Sequence, residues 1–160
     1  MSDEQMGFDI EFDDTTQAFL KWATPELMES QVRAFLKETV PGIADYSDEW
    51  WKRPLLLRIL EASKRIFGDW SDFIAPENRE SADRFVRLIG ECCIRQHPKM
   101  TWTKDTDYGT MPPLFAEFGP AVHDAATDDG VSMKSIVEWL FDDDGPRMVE
   151  FSIRNAGKAI

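Results

Sequence analysis

Residues 76–96 read Pro-Glu-Asn-Arg-Glu-Ser-Ala-Asp-Arg-Phe-Val-Arg-Leu-Ile-Gly-Glu-Cys-Cys-Ile-Arg-Gln, and the rest of the chain is placed relative to them. Pro76 suits the first turn of a helix, and Glu77 complements the positive end of the helix dipole. Ala82, Phe85, Val86, Ile89, Cys93 and Gln96 then recur at helical spacing on one face. Glu80 with Arg84 and Asp83 with Arg87 form i,i+4 pairs expected on the exposed side. Gly90 interrupts the helix at a cost of about 1 kcal/mol relative to alanine. Close packing by another element is the usual reason for such a glycine. Cys92 and Cys93 stand about 100° apart on a helix, so one is expected in the core and the other near its boundary. Adjacent cysteines make a strained disulfide, and no Cys-x-x-Cys accompanies them, so their expected role is packing.

Downstream, His97-Pro98 stops the helix, and 99–104 (Lys-Met-Thr-Trp-Thr-Lys) alternates as a strand does. Residues 105–110 read as a turn, and Met111-Pro112-Pro113-Leu114-Phe115 as an extended edge segment, since two prolines exclude a central strand. Phe118-Gly119-Pro120 is a further break, with Val122 beginning a short helix or turn. After a turn at Asp128-Asp129-Gly130, Ser132 caps a helix bearing Met133, Ile136, Val137, Leu140 and Phe141. That helix ends in Asp142-Asp143-Asp144-Gly145-Pro146, which places three acids where the helix dipole disfavours them. Residues 147–160 are weakly patterned and read as a strand, Met148 to Ile153, followed by a loose tail.

Upstream, Thr24-Pro25-Glu26 starts a helix carrying Leu27, Met28, Val32, Phe35 and Leu36, which Val40-Pro41-Gly42 ends. A short helix capped by Thr15 or Thr16 runs to Trp22 before it. A third stripe, Trp50, Trp51, Leu55, Leu56, Ile59, Leu60 and Ile66, begins after Ser47-Asp48-Glu49, tolerates Pro54 in its first turns and stops at Gly68-Asp69. Phe8, Ile10 and Phe12 alternate with acids, as a strand or as a flexible tail. The chain reads as α+β: a helix-rich single domain over 15–160 with a small antiparallel sheet, preceded by an acidic arm over 1–14.

The net charge is −12 over 160 residues, and it is unevenly placed. Residues 1–14 carry six acids and no base, 15–119 sixteen acids and fourteen bases, and 120–160 eight acids and four bases. Such a field disfavours phosphate backbones and anionic lipid and favours basic partners. No apolar run reaches the length of a membrane span, and Met-Ser-Asp-Glu is no secretory signal, so a cytoplasmic protein is expected, binding neither membrane nor nucleic acid.

Candidate chemistry is sparse. His97 and His123 are the only histidines, without His-Glu-x-x-His or Gly-x-Ser-x-Gly nearby. His123 and Asp124 are neighbours whose side chains diverge. Asp105-x-Asp107 and Asp142-Asp143-Asp144 have carboxylates spaced as in a calcium loop. However, position 12 of such a loop would be Ala116 or Ile153, which cannot ligate. No catalytic residue, cofactor site or metal site emerges.

Arg84-Phe85-Val86-Arg87-Leu88-Ile89-Gly90-Glu91, followed by Trp102, resembles a helix-then-strand signature of small uncharacterised bacterial proteins, among them immunity-type proteins of toxin–antitoxin and polymorphic-toxin systems. A proline-containing segment and a further helix follow in that pattern; Met111-Pro112-Pro113 and 132–141 take those places here. Its usual glycine before the Trp is replaced by His97-Pro98-Lys99. The resemblance implies a binding role without catalytic residues. Charge leads to the same expectation: a protein that occludes a basic partner or toxin with Asp128, Asp129, Glu138, Asp142, Asp143 and Asp144, of which Glu138 and Asp142 share a helix face. The alternatives are an enzyme with a pocket lined by Trp and carboxylates, and an adaptor subunit anchored by exposed Trp50 and Trp51.

Overall fold

Pro76 starts one 3-10 turn, Pro76–Asn78, and the α-helix proper runs Arg79–Gln96. The structure, a computed structural model, describes residues 14–40, 49–104, 118–127 and 129–156. In chain order the elements are α1 (Asp14–Trp22), α2 (Pro25–Thr39), α3 (Leu55–Phe67), α4 (Trp70–Phe73), α5 (Arg79–Gln96), β1 (Met100–Lys104), β2 (Pro120–Asp124), β3 (Asp129–Ser132), α6 (Met133–Val137) and α7 (Gly145–Asn155), with a second 3-10 turn at Glu138–Phe141. The fold is α+β, rich in helix with one small antiparallel sheet, as expected. The alternation over 7–13 and the proline segment 111–115 lie outside the described residues.

α5 is not the one-sided helix its spacing predicts. Phe85 through Gly90 are all buried, so consecutive residues point inward in every direction. It is the central rod, with α2 on one side and β1, β2, α6 and α7 around the rest. Two expectations fall for this reason. Arg87 is not on an exposed side: its side chain is only 4% exposed. Its Nε donates to Asp83 at 2.8 Å and its Nη1 to the Trp22 carbonyl at 2.7 Å, with the guanidinium 4.4 Å over the Trp22 ring. Nor is either cysteine near a boundary, because Cys92 and Cys93 are both fully buried.

Gly90 has the close packing its position requires. A Cβ there would fall 1.9 Å from Cη2 of Trp102 on β1. The same indole donates Nε1–H to Glu91 Oε2 at 2.8 Å and meets the Trp22 ring edge-on at 4.9 Å. Gly90, Glu91 and Trp102 are thus one seat, and it holds the sheet on α5. The strand order is β1-β2-β3, all antiparallel, with Trp102 opposite Val122 and Val122 opposite Val131. Val122 is therefore in the central strand and does not begin a helix or turn. Pro120 opens that strand, where a missing N–H is tolerated.

Two other expectations are corrected. Met148 to Ile153 is helix, not strand: α7 buries Val149, Glu150 and Ile153. Pro146, taken as the stop of the preceding helix, sits in the first turn of the next, where proline is equally at home. Likewise α3 starts only at Leu55, with Pro54 at its N-cap, so Trp50 and Trp51 precede the helix. α2 stands where expected, and α1 ends at Trp22 as expected but starts at Asp14, so neither Thr15 nor Thr16 is its cap. Thr24, however, does not cap α2 with its side chain; its hydroxyl donates to the Lys21 carbonyl at 3.1 Å.

Phe35 of α2, Phe67 of α3, Phe73 of α4 and Phe85 of α5 interlock with ring centroids 4.8–6.4 Å apart. Aromatic pairs of this geometry add about 0.5–1.5 kcal/mol each beyond burial. Trp50 is buried, and Trp51 is half-buried against it, with the Arg95 guanidinium 4.8 and 5.0 Å from the two ring centroids. The Trp pair is part of the core and does not project as an anchor.

In an isolated helix Gly90→Ala would be stabilising. Here the overlap with Trp102 dominates, and the substitution is expected to lower the unfolding free energy by about 1–3 kcal/mol in urea titrations. Trp102→Leu should restore part of that loss in the Gly90→Ala background and none in the wild type. Unchanged stability of Gly90→Ala would show that the ring does not rest on residue 90.

Candidate functional site

Ser132 ends β3 in extended conformation, and its Oγ accepts the Ser135 amide at 3.2 Å, which starts α6. Met133, Ile136, Val137 and Leu140 are buried, so Ser135, Glu138 and Trp139 face outward. The last turn tightens into 3-10 helix, where residues three apart stand over one another. Trp139 and Asp142 are such a pair, joined by the Asp142 amide donating to the Trp139 carbonyl at 3.1 Å. Ser135, Glu138, Trp139 and Asp142 line a depression of about 470 Å³. Trp139 is 42% exposed at its wall.

The chain then reverses. The Gly145 amide donates to the Asp142 carbonyl at 2.9 Å, and Lys64 Nζ donates to the same carbonyl at 2.6 Å. A Cβ on Gly145 would lie 1.9 Å from the Leu140 carbonyl oxygen, so only glycine fits this bend. Asp144 takes the N-cap position of α7. The acidic triplet therefore lies at the start of a helix as much as at the end of one, and there the dipole favours it. That corrects the destabilising placement expected from sequence. Asp144 makes no side-chain cap, and all three acids are exposed. Among the described residues none of the three carboxylates has an ion-pair partner. Glu138 pairs with Lys134 at 3.3 Å, with both side chains more than 40% exposed.

Of the six residues expected at a partner surface, the structure thus brings Glu138 and Asp142 into one depression and sets Asp143 and Asp144 beside it. Asp129 starts β3 opposite Asp124, at the far end of the strand from Ser132. Asp128 lies outside the described residues. Trp139 was not among the residues expected at this surface. Its signal was present: it falls off the stripe formed by Met133, Ile136, Val137 and Leu140.

Two further hollows bear on enzyme chemistry. One, about 380 Å³, has His97, Lys99, Asp124 and Thr127 in its wall. His97 Nε2 lies 2.9 Å from the Ile153 carbonyl, and Asp124 Oδ1 accepts the Ala126 amide at 2.9 Å, so both groups already hold local structure. His123 and Asp124 are neighbours on β2 and point to opposite faces. The other, about 280 Å³, is lined by Met28, Glu29, Glu91, Arg95 and Trp102. Its carboxylates are engaged, Glu91 by the Trp102 indole and Glu29 by Arg33 at 2.9 Å. Among the described residues no three His, Cys, Asp or Glu side chains converge as a metal would require. No described helix is long and apolar enough to cross a membrane.

The cysteines carry no accessible chemistry. Burial, with the nearby charges of Cys93 and Glu91, holds the Cys92 thiol well above its ordinary range despite Arg95, and burial alone pushes Cys93 up to about 12. Thiolate is the reactive form. A disulfide reagent at about pH 8 is expected to leave both thiols unmodified in the native protein and to modify both after unfolding. Rapid native labelling would place a cysteine at the surface.

α7, which carries the acidic bend at its start, is fixed through Glu150. Its side chain is 2% exposed, and its Oε1 lies 3.0 Å from Arg53 Nε and 3.0 Å from Arg154 Nη2. Desolvation pushes this carboxyl up, but the hydrogen bond and charge of Arg154 and those of Arg53 outweigh it, so it titrates below the usual glutamate range. A depressed folded-state value contributes stability above the unfolded-state value, and that stability is lost as pH falls through the folded one. Glu150→Gln should therefore flatten the loss of stability below about pH 5. Parallel stability–pH curves for variant and wild type would remove Glu150 from this role.

Compared with known proteins, the chain matches no family model, no curated protein and no solved structure.

Proposed function

We propose that this chain is a protein-binding module of the immunity type, bacterial in origin and working in the cytoplasm. It neutralises a basic partner by covering that partner's own site with the face formed by Glu138, Trp139 and Asp142–Asp144. The observation that carries this reading is Trp139, exposed beside Asp142, which has no ion-pair partner among the described residues, and Glu138, whose only pair there is a surface contact with Lys134. Tryptophan is strongly enriched among the residues that dominate protein interfaces. Exposed acids around it steer a basic surface toward it and set the register of docking. The seat formed by Gly90, Glu91 and Trp102 supports the reading differently. It gives the residues that carry the family resemblance an architectural task, so the resemblance implies shared scaffolding and not shared catalysis.

An enzyme is the second reading, favoured by the presence of His97 and Asp124 in one cavity wall. The engagement of both groups with backbone weighs against it, as does the absence of a Ser or Cys nucleophile among the described wall residues. An adaptor anchored on Trp50 and Trp51 loses its basis, because Trp50 is buried.

The test uses a basic partner recovered from the native host with the full chain. Its association rate should fall about tenfold or more from low to physiological salt, as steered encounters do. Replacing Asp142, Asp143 and Asp144 together with Asn should slow association at low salt and remove most of that dependence. A rate indifferent to salt would end the steering mechanism, and full binding by the triple variant would move the interface elsewhere.

A further inference from the structure

We propose that the group seated in the Trp139 depression is an arginine side chain of the partner; this rests on the binding face proposed above. The chain builds the same constellation internally. The Arg87 guanidinium lies 4.4 Å over the Trp22 ring while its Nε donates to Asp83 at 2.8 Å. Arg95 in turn lies over the Trp50 and Trp51 rings. Trp139 has the ring and the carboxylates, yet among the described residues no guanidinium covers it. Asp142 has no ion-pair partner there, and the Glu138–Lys134 pair is a solvated surface contact of little worth, open to exchange. Of the four acids Glu138 and Asp142–Asp144, Glu138 alone is ion-paired among the described residues, to Lys134, and the contact of Lys64 with this bend is to a backbone carbonyl.

Arginine fits better than lysine for a geometric reason. A guanidinium is planar, so it lies flat on the indole and still presents N–H groups edgewise to Glu138 and Asp142. An ammonium is a point charge that stays hydrated and cannot do both. The depression, about 470 Å³, has room for the guanidinium and part of its stem.

The probes are a short peptide of alternating arginine and glycine and its lysine counterpart, each titrated into the full chain. The readout is the six indole N–H resonances, with that of Trp139 assigned by its loss in Trp139→Phe; the other five confirm that the variant is folded. The Trp139 signal is expected to move with the arginine peptide, which should bind about two- to fivefold more tightly than the lysine peptide. In Trp139→Ala that preference should vanish while weak charge-driven binding remains. Equal affinities, or movement of the Asp142–Asp144 amides with a still Trp139 indole, would overturn the arginine assignment and leave the acidic face standing. Binding of neither peptide would overturn both.

Discussion

The contact between Trp102 and the bare backbone of Gly90 is the constraint on which the rest of the structure depends. The indole occupies the space a side chain at position 90 would fill, and Glu91 fixes its rotation by accepting the indole N–H. Because Trp102 is on β1, this single seat sets the height and tilt of the three-stranded sheet on α5. β3 runs directly into α6, which packs on α5 as well, so the sheet and the segment leading to the acidic bend share one base. A helix glycine that is unfavourable by itself becomes the point at which the sheet rests on α5.

α5 can serve as that base because its middle, Phe85 to Gly90, is enclosed on every side. Enclosure raises the cost of any polar group it carries, and Arg87 shows how that cost is met. Its guanidinium satisfies Asp83 and the Trp22 carbonyl and stacks on the Trp22 ring, while the Trp22 indole donates to Asp83 at 2.7 Å. A buried charge with every partner in place ties α1 to α5 in one geometry. Glu150 does the same at the other end, joining α7 to Arg53 ahead of α3. The two clusters are hydrogen-bonded locks around an aromatic interior.

The surface at 138–145 has the opposite character. Its backbone is tightly determined by the 3-10 turn, by Gly145 against the Leu140 carbonyl and by the Lys64 contact. The side chains of Glu138, Trp139 and Asp142 to Asp144 are left open to solvent. A backbone held in this way, presenting an exposed indole and exposed carboxylates, would lose little conformational freedom on association, as the proposed binding role requires.

Much of the fold was legible in the sequence. Helical spacing and the Pro-Glu start signals located α2 and α5, the alternation at 99–104 located β1, and Ser132 marked the start of α6. Gly90 announced a close neighbour, since local energetics alone would reject it. The acids of the site were legible as charge, and Trp139 was legible as a residue off its stripe. What sequence could not supply was the surroundings of each face. Arg87 and Cys92 lie off the apolar stripe yet are buried, because α5 is covered by elements that arrive from both ends of the chain. Residues 148–153, weakly patterned and read as a strand, form a helix, because burial of Val149, Glu150 and Ile153 against α3 and α5 outweighs the local pattern. Local spacing determined which segments take regular structure. Only the tertiary arrangement decided how many sides of each are covered, and which acids meet a tryptophan, since both depend on contacts between residues far apart in the chain.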